Sequence, residues 1–461
     1  MIYSLLRGIA GVALRWYYAD VTIASDQFDR GANTRDPFTG PLLVVVNHPN
    51  ALVDVLVAAR AVPRRLLFTA KATLFTNPVA RALLTVVGVV PLRRQSDEAS
   101  GTADPARNAR TFDAVSRALG SGGAVLVFPE GKSHDEPALA PLRTGVARIA
   151  LQSRESGSVH GLRILPIGLV FQRKDAPRTR VLAIVGEPLD VDSWTARIPG
   201  NAVAELTGEL DARLRAITLN YSSSEAAVSD FRMALQIAAL IRYDAPPIST
   251  AGDLRDQANV ARLMPAVRTA VERGPPELAT RVARFQSDLG SLQASLNSHH
   301  ISLDDLAISR GVREGANFVA REMLVVLTAG PVALWGWVNH ILPFRAAIAV
   351  GRRSRATAND PAMRTIVAGA AFVLMVYMLQ GAAVALLAGP WWALVYVASL
   401  PIAADVNLTF QDRLRRAVRR ARTYLLFRAR PEVQEGLERT ARALRVEALA
   451  LAGAAGVRSA D

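Results

Sequence analysis

The 461-residue chain contains no cysteine. Disulfides, thiolate zinc sites and a thiol nucleophile are thereby excluded, and with them an acyl-cysteine intermediate. No Gly-x-Ser-x-Gly elbow is present either, so a serine acyl-enzyme lacks its usual strand-turn signature. Lysine is scarce: Lys71, Lys132 and Lys174 stand against 51 arginines, and the formal net charge is +14. Genome composition is the simplest source of that skew, so the few lysines carry more information than the many arginines. The densest arginine cluster runs from Arg413 through Arg416, Arg419, Arg420, Arg422 and Arg428 to Arg430 and directly follows a long apolar stretch. Such placement marks a membrane anchor touching anionic lipid rather than a nucleic-acid surface.

The chain is long enough for several domains. Residues 1–20 open with an apolar, aromatic segment too short to span a bilayer and without a signal-peptide cleavage pattern; they are expected to form an interfacial helix, with an ordinary core helix as the alternative. Over 21–199, β-branched runs at 42–46, 66–69, 88–92, 124–128, 164–171 and 181–185 alternate with helical stretches at 51–61, 78–86, 106–119 and 145–153. This pattern predicts an α/β domain, a central mixed sheet flanked by helices. A helical insert without visible chemistry follows over 200–320, with helical spacing at 203–219, 226–241, 260–271, 276–296 and 303–319. Residues 321–404 read as membrane-embedded hairpins: a re-entrant or interfacial one kinked at Gly330-Pro331, then two spans meeting at Gly389-Pro390. Residues 405–461 read as a basic amphipathic C-terminal helix. Arginines at 345–364 and from 413 onward place both segments on the cytoplasmic side, together with the α/β domain.

The apolar run 42–46 empties into Asn47-His48-Pro49-Asn50, and Asp54 follows. A histidine accepts a proton near neutral pH, and a carboxylate on its other ring nitrogen fixes the tautomer and stabilises the cation formed. In a regular helix, a spacing of six residues does not put two side chains on one face. His48 is therefore expected in a turn, with Pro49 in the first helical turn and Asn47 or Asn50 as the cap. Further blocks follow in order: Phe68-Thr-Ala-Lys71, Gly88-Val-Val-Pro91-Leu-Arg-Arg94, Phe128-Pro-Glu130-Gly131-Lys-Ser-His134-Asp135, Pro141-Leu-Arg143-Thr-Gly145 and Leu165-Pro166-Ile-Gly168.

In order, residue type and separation, these blocks resemble the glycerolipid acyltransferase family, which acylates glycerol-3-phosphate and lysophosphatidate. The resemblance covers roughly residues 35–190. Five residues separate His48 from Asp54 where the usual signature has four, and this longer form resembles the branch with the fungal glycerol-3-phosphate/dihydroxyacetone-phosphate acyltransferases. The resemblance implies a membrane-associated O-acyltransferase of phospholipid biosynthesis, with acyl-CoA or acyl carrier protein as co-substrate and no cofactor or metal. His48 and Asp54 are the expected catalytic pair. Arg94, Glu130 and Gly131 belong to the acceptor site by resemblance, and Pro166 to a structural motif at a strand end. Lys71 and Arg143 are added as cationic partners for the acceptor phosphate, and Gly131 allows close backbone approach to an anion.

Taken singly, each block has a plain reading: a strand exit for 128–131, a surface charge for Arg94, a hydrogen-bonded loop histidine for His48. Their joint order favours the enzyme. His134-Asp135 reads as a loop former, since adjacent residues cannot face each other, and His299-His300 as a solvated loop. Glycerol-3-phosphate or dihydroxyacetone phosphate is the favoured acceptor and lysophosphatidate the alternative. A non-catalytic lipid-binding protein is a further alternative. Transport is disfavoured by the scarcity of intramembrane polar residues beyond Gln380.

Overall fold

The computed structural model describes residues 2–25, 36, 38–71, 88–92, 105–174, 176–198, 202–242, 250–353 and 361–454. These group into two compact units, 1–224 with 354–366, and 225–353 with 367–461. The helix expected over 78–86 lies outside the described residues.

The first unit is built on an eight-stranded mixed sheet. Its strands are β1 (Asp20–Ser25), β2 (Leu42–Val46), β3 (Leu66–Lys71), β4 (Val89–Leu92), β5 (Ala124–Val127), β6 (Arg163–Phe171), β7 (Arg180–Val185) and β8 (Leu189–Asp190). The order is β1-β7-β6-β2-β5-β3-β4, with β8 on β6. β2 lies at the centre, parallel to β5 through Val45–Val127 and to β6 through Val45–Pro166. All five of its residues are fully buried, which is why the run carries no polar alternation. Burying each such side chain stabilises by about 1.5–3 kcal/mol. Pro166 sits within β6 rather than at a strand end, a correction to the expectation above.

Among the described residues, helices α1 (Ile2–Tyr17), α2 (Ala51–Ala61), α3 (Pro105–Gly120), α4 (Gly145–Glu155), α5 (Val191–Thr195) and α6 (Ala202–Ile217) accompany the sheet in this unit. α1 differs from a purely interfacial helix: Leu14 and Tyr17 are buried in the sheet's core, and the Leu66 N–H donates to the Tyr3 hydroxyl at 3.1 Å. Ile9 and Val12 remain exposed. α6 belongs to this unit rather than to the helical insert. The Ile217 carbonyl at its end would lie 2.2 Å from a Cβ on Gly168 of β6, so only glycine fits there.

Among its described residues the second unit contains helices alone: α7 (Ser224–Arg242), α8 (Thr250–Arg273), α9 (Pro276–Ser298), α10 (Val312–Arg353), α11 (Pro361–Ala388), α12 (Pro390–Ala429) and α13 (Pro431–Ala454), with the first turn of α11 grouped with the sheet unit. The helix expected over 303–319 is instead a 3-10 turn at Leu303–Asp305 followed by α10. Phe285, Leu289, Leu292, Leu296, Phe427 and Leu444 form part of its soluble-type core.

Segments of α10, α11 and α12 are long and apolar enough to cross a membrane. α10 passes through Gly330-Pro331 without a break, so the expected re-entrant hairpin is a continuous helix. Proline is tolerated in apolar helices because neighbouring groups satisfy the freed carbonyl. At Gly389-Pro390, where a hairpin turn is expected, Gly389 at φ 96° separates α11 from α12.

α10 and α12 run antiparallel. The Arg413 guanidinium pairs with Glu322 at 2.8 Å, Trp335 Nε1–H donates to Ser399 Oγ at 3.3 Å, and the Tyr424 hydroxyl donates to the Gly311 carbonyl at 3.3 Å. Arg352 lies about 45 Å along α10 from Glu322 at 1.5 Å per residue. The arginines of 345–353 and the cluster from Arg413, expected on one face of a bilayer, therefore sit at opposite ends of this helix pair. Gln380, noted in the sequence, and Asn339, His340, Tyr377 and Tyr396, which were not, tie the three helices. Asn339 Oδ1 accepts from Gln380 Nε2–H at 3.0 Å and from the Tyr396 hydroxyl at 2.8 Å. His340 Nδ1–H donates to the Gly336 carbonyl at 2.8 Å, which leaves Nε2 to accept from the Tyr377 hydroxyl at 2.7 Å. Interhelical hydrogen bonds of this kind hold helices together where lipid offers no hydrophobic drive.

Candidate active site

Parallel strands β2 and β5 end side by side, so the residues that follow them meet at one edge of the sheet. That edge is where open α/β sheets place their ligands. His48 comes two residues after β2, and Phe128–Glu130 come directly after β5. Motif blocks about 80 positions apart in sequence are joined there by the His48 N–H, which donates to Glu130 Oε1 at 2.6 Å.

His48 lies in the turn, as expected, and its Nδ1 is 3.0 Å from Asp54 Oδ2. With Nδ1–H donating to the carboxylate, the lone pair is on Nε2, the arrangement of a general base. The ring stacks on Phe128, with centroids 3.8 Å apart and planes at 11°. Asp54 is in the first turn of α2 and fully buried. Its Oδ2 also accepts from the Asn50 N–H at 2.7 Å, while Oδ1 has no hydrogen-bond partner among the described residues. Burial pushes the Asp54 carboxyl up to about 6, against the lowering effects of His48, the Asn50 N–H and Lys174. Desolvation wins because a buried charge loses more from water than these partners return.

The helix start differs from expectation. Pro49 precedes α2 instead of opening it, and Asn50 occupies the N-cap position without capping through its side chain. Asp54 does the capping by reaching back to the Asn50 N–H. The Asn50 side chain instead donates to the Tyr18 hydroxyl at 3.1 Å and to the Lys174 carbonyl at 3.4 Å. Asn47 clamps the turn to β6 through both its amide atoms, donating to the Leu169 carbonyl at 3.1 Å and accepting from the Leu169 N–H at 2.7 Å. Ala51 carries a left-handed φ of 47°, a conformation that costs a residue with a Cβ about 1–2 kcal/mol. Such strain persists only where the surroundings over-determine it.

The other candidates are distributed as follows. Glu130 is buried and its carboxylate is taken up by protein: Oε2 accepts from the Ala140 N–H at 2.8 Å and from His134 Nε2. It faces the His48 main chain rather than open solvent. Gly131 turns the chain at φ 77°, and a Cβ there would meet the Arg143 stem at 3.4 Å. Arg143 is exposed, and its N–H donates to the Pro129 carbonyl at 2.7 Å, which brings it beside that turn. Lys71 ends β3, and β4 ends at Leu92; both strands run parallel to β5, so they point to the same sheet edge. Nothing is described of the Lys71 side chain, and Arg94 lies outside the described residues.

The sequence reading passed over Tyr18, Asn47, Phe128, Ser133 and His134 as site residues. His134 is buried against Glu130 four residues earlier, a spacing that was visible in the sequence. Lys174, the third of the rare lysines, pairs with Asp135 at 2.8 Å at the same edge.

Residues 27–170 match the family model described as Acyltransferase. Over 117 residues the chain is 32% identical to glycerol-3-phosphate O-acyltransferase 2 of Saccharomyces cerevisiae, a stretch covering 24% of this chain and 16% of that protein. It is 28% identical over 113 residues to glycerol-3-phosphate O-acyltransferase 1 of the same yeast, covering 23% and 15%. An uncharacterized acyltransferase of Schizosaccharomyces pombe is 36% identical over 80 residues, covering 17% and 12%. The matched segment thus spans less than a fifth of each of these relatives. A solved 1-acyl-sn-glycerophosphate acyltransferase from Thermotoga maritima aligns with 46% of this chain and 76% of its own at 17% identity, with a TM-score of 0.33.

Proposed function

We propose that this acyltransferase-family domain moves a fatty acyl group from a thioester to a hydroxyl of a phosphorylated glycerol, with glycerol-3-phosphate or dihydroxyacetone phosphate as the acceptor. The observation that carries the reading is the 3.0 Å contact of His48 Nδ1 with Asp54 Oδ2; with the ring proton on Nδ1 facing the carboxylate, Nε2 presents its lone pair to the acceptor. His48 Nε2 takes the proton of the acceptor hydroxyl as its oxygen attacks the thioester carbonyl. The new C–O bond forms, the C–S bond breaks, and the departing thiolate of CoA or of an acyl carrier protein recovers the proton from the imidazolium. Asp54 holds the ring and offsets its transient charge. General-base assistance of this kind contributes about 10²–10⁴-fold.

The acceptor phosphate needs fixed cations, and Arg143 beside the Gly131 turn supplies one. Lys71 ends β3, and Arg94 comes two positions after β4 in sequence; these strands run to the same sheet edge, which supports assigning both residues to the same anion. Glu130 serves this site by holding the His48 main chain. No metal or organic cofactor enters the reaction so written. The yeast relatives named for glycerol-3-phosphate favour that acceptor over lysophosphatidate. The apolar helices α10–α12 keep the enzyme in the membrane that receives its product, with the sheet unit on the cytoplasmic face where soluble acyl donors are found.

Assays of the purified full chain with glycerol-3-phosphate, dihydroxyacetone phosphate and lysophosphatidate, each with palmitoyl-CoA, test the reading. Acylation of one of the first two is expected to dominate. Turnover of lysophosphatidate alone would reassign the acceptor, and turnover of none would favour a lipid-binding protein that keeps the fold.

A further inference from the structure

We infer that His134 is a positioning residue for this reaction, acting through Glu130 on the main chain of His48; the inference rests on the acyl-transfer reading above. The protonation of His134 follows from its neighbours. The Glu136 N–H donates to Nδ1 at 3.2 Å, so Nδ1 carries the lone pair and Nε2–H is directed at Glu130 Oε2. Glu130 then receives three donors, from His134, from the Ala140 N–H at 2.8 Å and, on its other oxygen, from the His48 N–H at 2.6 Å.

Two more links join the same segments. The His134 N–H donates to the His48 carbonyl at 3.3 Å, and Ser133 Oγ accepts from the Ala51 N–H at 3.0 Å. Both main-chain polar groups of His48, and the strained Ala51, are thus held by residues 130, 133 and 134. Glu130 and His134 are 3% and 8% exposed, so water competes little for these bonds. A two-sided grip on the residue bearing the base fixes where Nε2 points, whereas a one-sided grip leaves the ring free to drift with the turn. Misplacement by about 1 Å can cost about 10²-fold in rate.

The mechanism separates orientation from substrate binding, and the test exploits this. Replacing His134→Leu is expected to lower kcat by about 10- to 100-fold, with KM for both substrates within about twofold of the wild type. His134→Gln keeps an amide N–H directed at Glu130 and is expected to restore kcat to within about threefold. A His134→Leu enzyme with undiminished kcat would overturn the inference. So would a loss of kcat matched by a rise in KM, or a glutamine variant no better than leucine. If His134→Leu fails to fold, His134→Phe, which keeps a ring but no N–H toward Glu130, decides: a fall in kcat of about tenfold at constant KM is expected, and unchanged kcat rejects the inference. His48→Ala run in parallel separates the two claims. An active His48→Ala enzyme removes His48 as the base on which the acyl-transfer reading rests, while an inactive one beside an unimpaired His134→Leu removes only the role of His134.

Discussion

Asp54 makes the proposed catalytic pair expensive to fold, and Asp54→Asn measures the expense. Its carboxyl is pushed from an ordinary 3.8 up to about 6 by complete burial. Because the folded value is raised, the neutral acid is the favoured buried form. The associated stability is fully present below about pH 4 and is lost as pH rises through about 6. At 1.36 kcal/mol per unit, the charged form costs the folded state about 3 kcal/mol at pH 8. Asparagine carries no charge at any pH. Its amide at the Oδ1 position, which has no partner among the described residues, costs about 1–3 kcal/mol, but this penalty is the same at every pH. Comparing two pH values cancels it. Relative to the wild type, Asp54→Asn should therefore gain about 3 kcal/mol between pH 4 and pH 8, even as it loses activity. Denaturant unfolding of the detergent-solubilised protein, followed by tryptophan fluorescence across that range, reads the difference directly. A stability gap independent of pH, or one that widens against the variant as pH rises, would show that the His48 contact repays the buried charge and would refute the reasoning.

Turnover should share this pH range, with kcat/KM falling as pH drops through about 6 because the pair loses its carboxylate charge; a flat profile from pH 5 to 8 would contradict it. Gly131→Ala places a Cβ at φ 77° and against the Arg143 stem. It is expected to destabilise by about 1–2 kcal/mol and to raise KM for the acceptor more than for the acyl donor, read from steady-state kinetics in both substrates. In the membrane helices, a Cβ at Gly336 would fall 2.1 Å from the Ala403 carbonyl oxygen. Gly336→Ala should therefore loosen α10 from α12 at a cost of about 1–3 kcal/mol, seen as a lowered unfolding midpoint in detergent; an unchanged midpoint would mean the helices are not packed this closely.

The central sheet could be read from the sequence because its inner strands are buried on both faces. Leu42–Val46 and Ala51–Ala61 match their expected limits, the first as an unbroken apolar run and the second bounded by the turn that holds His48. β1 was less legible: Asp20-Val-Thr-Ile-Ala-Ser is a partly exposed edge strand with no continuous apolar signal. Composition also misled where it changed along one helix. α12 begins among tryptophans and ends among arginines, yet runs unbroken from Pro390 to Ala429, because helical hydrogen bonding is indifferent to whether the outer face meets lipid or water. Pro331 looked like a kink for the same kind of reason, a local breaker overridden by its neighbours. At the site, His48 with Asp54 was visible as a spacing, and the chemistry of the pair follows from it. The support around the pair was not. Asn47, Ser133 and His134 act through main-chain groups of residues about 80 to 120 positions away, and only the adjacency of β2, β5 and β6 brings those groups within reach.

The most direct measurement is single-turnover acylation of glycerol-3-phosphate from palmitoyl-CoA by the full-length wild type and by His48→Ala, under conditions where both bind their substrates. An imidazole that accepts the acceptor's proton predicts a fall of about 10²–10⁴-fold in the chemical step with binding preserved. Equal rates in the two proteins would contradict it and leave the His48–Asp54 pair a structural contact.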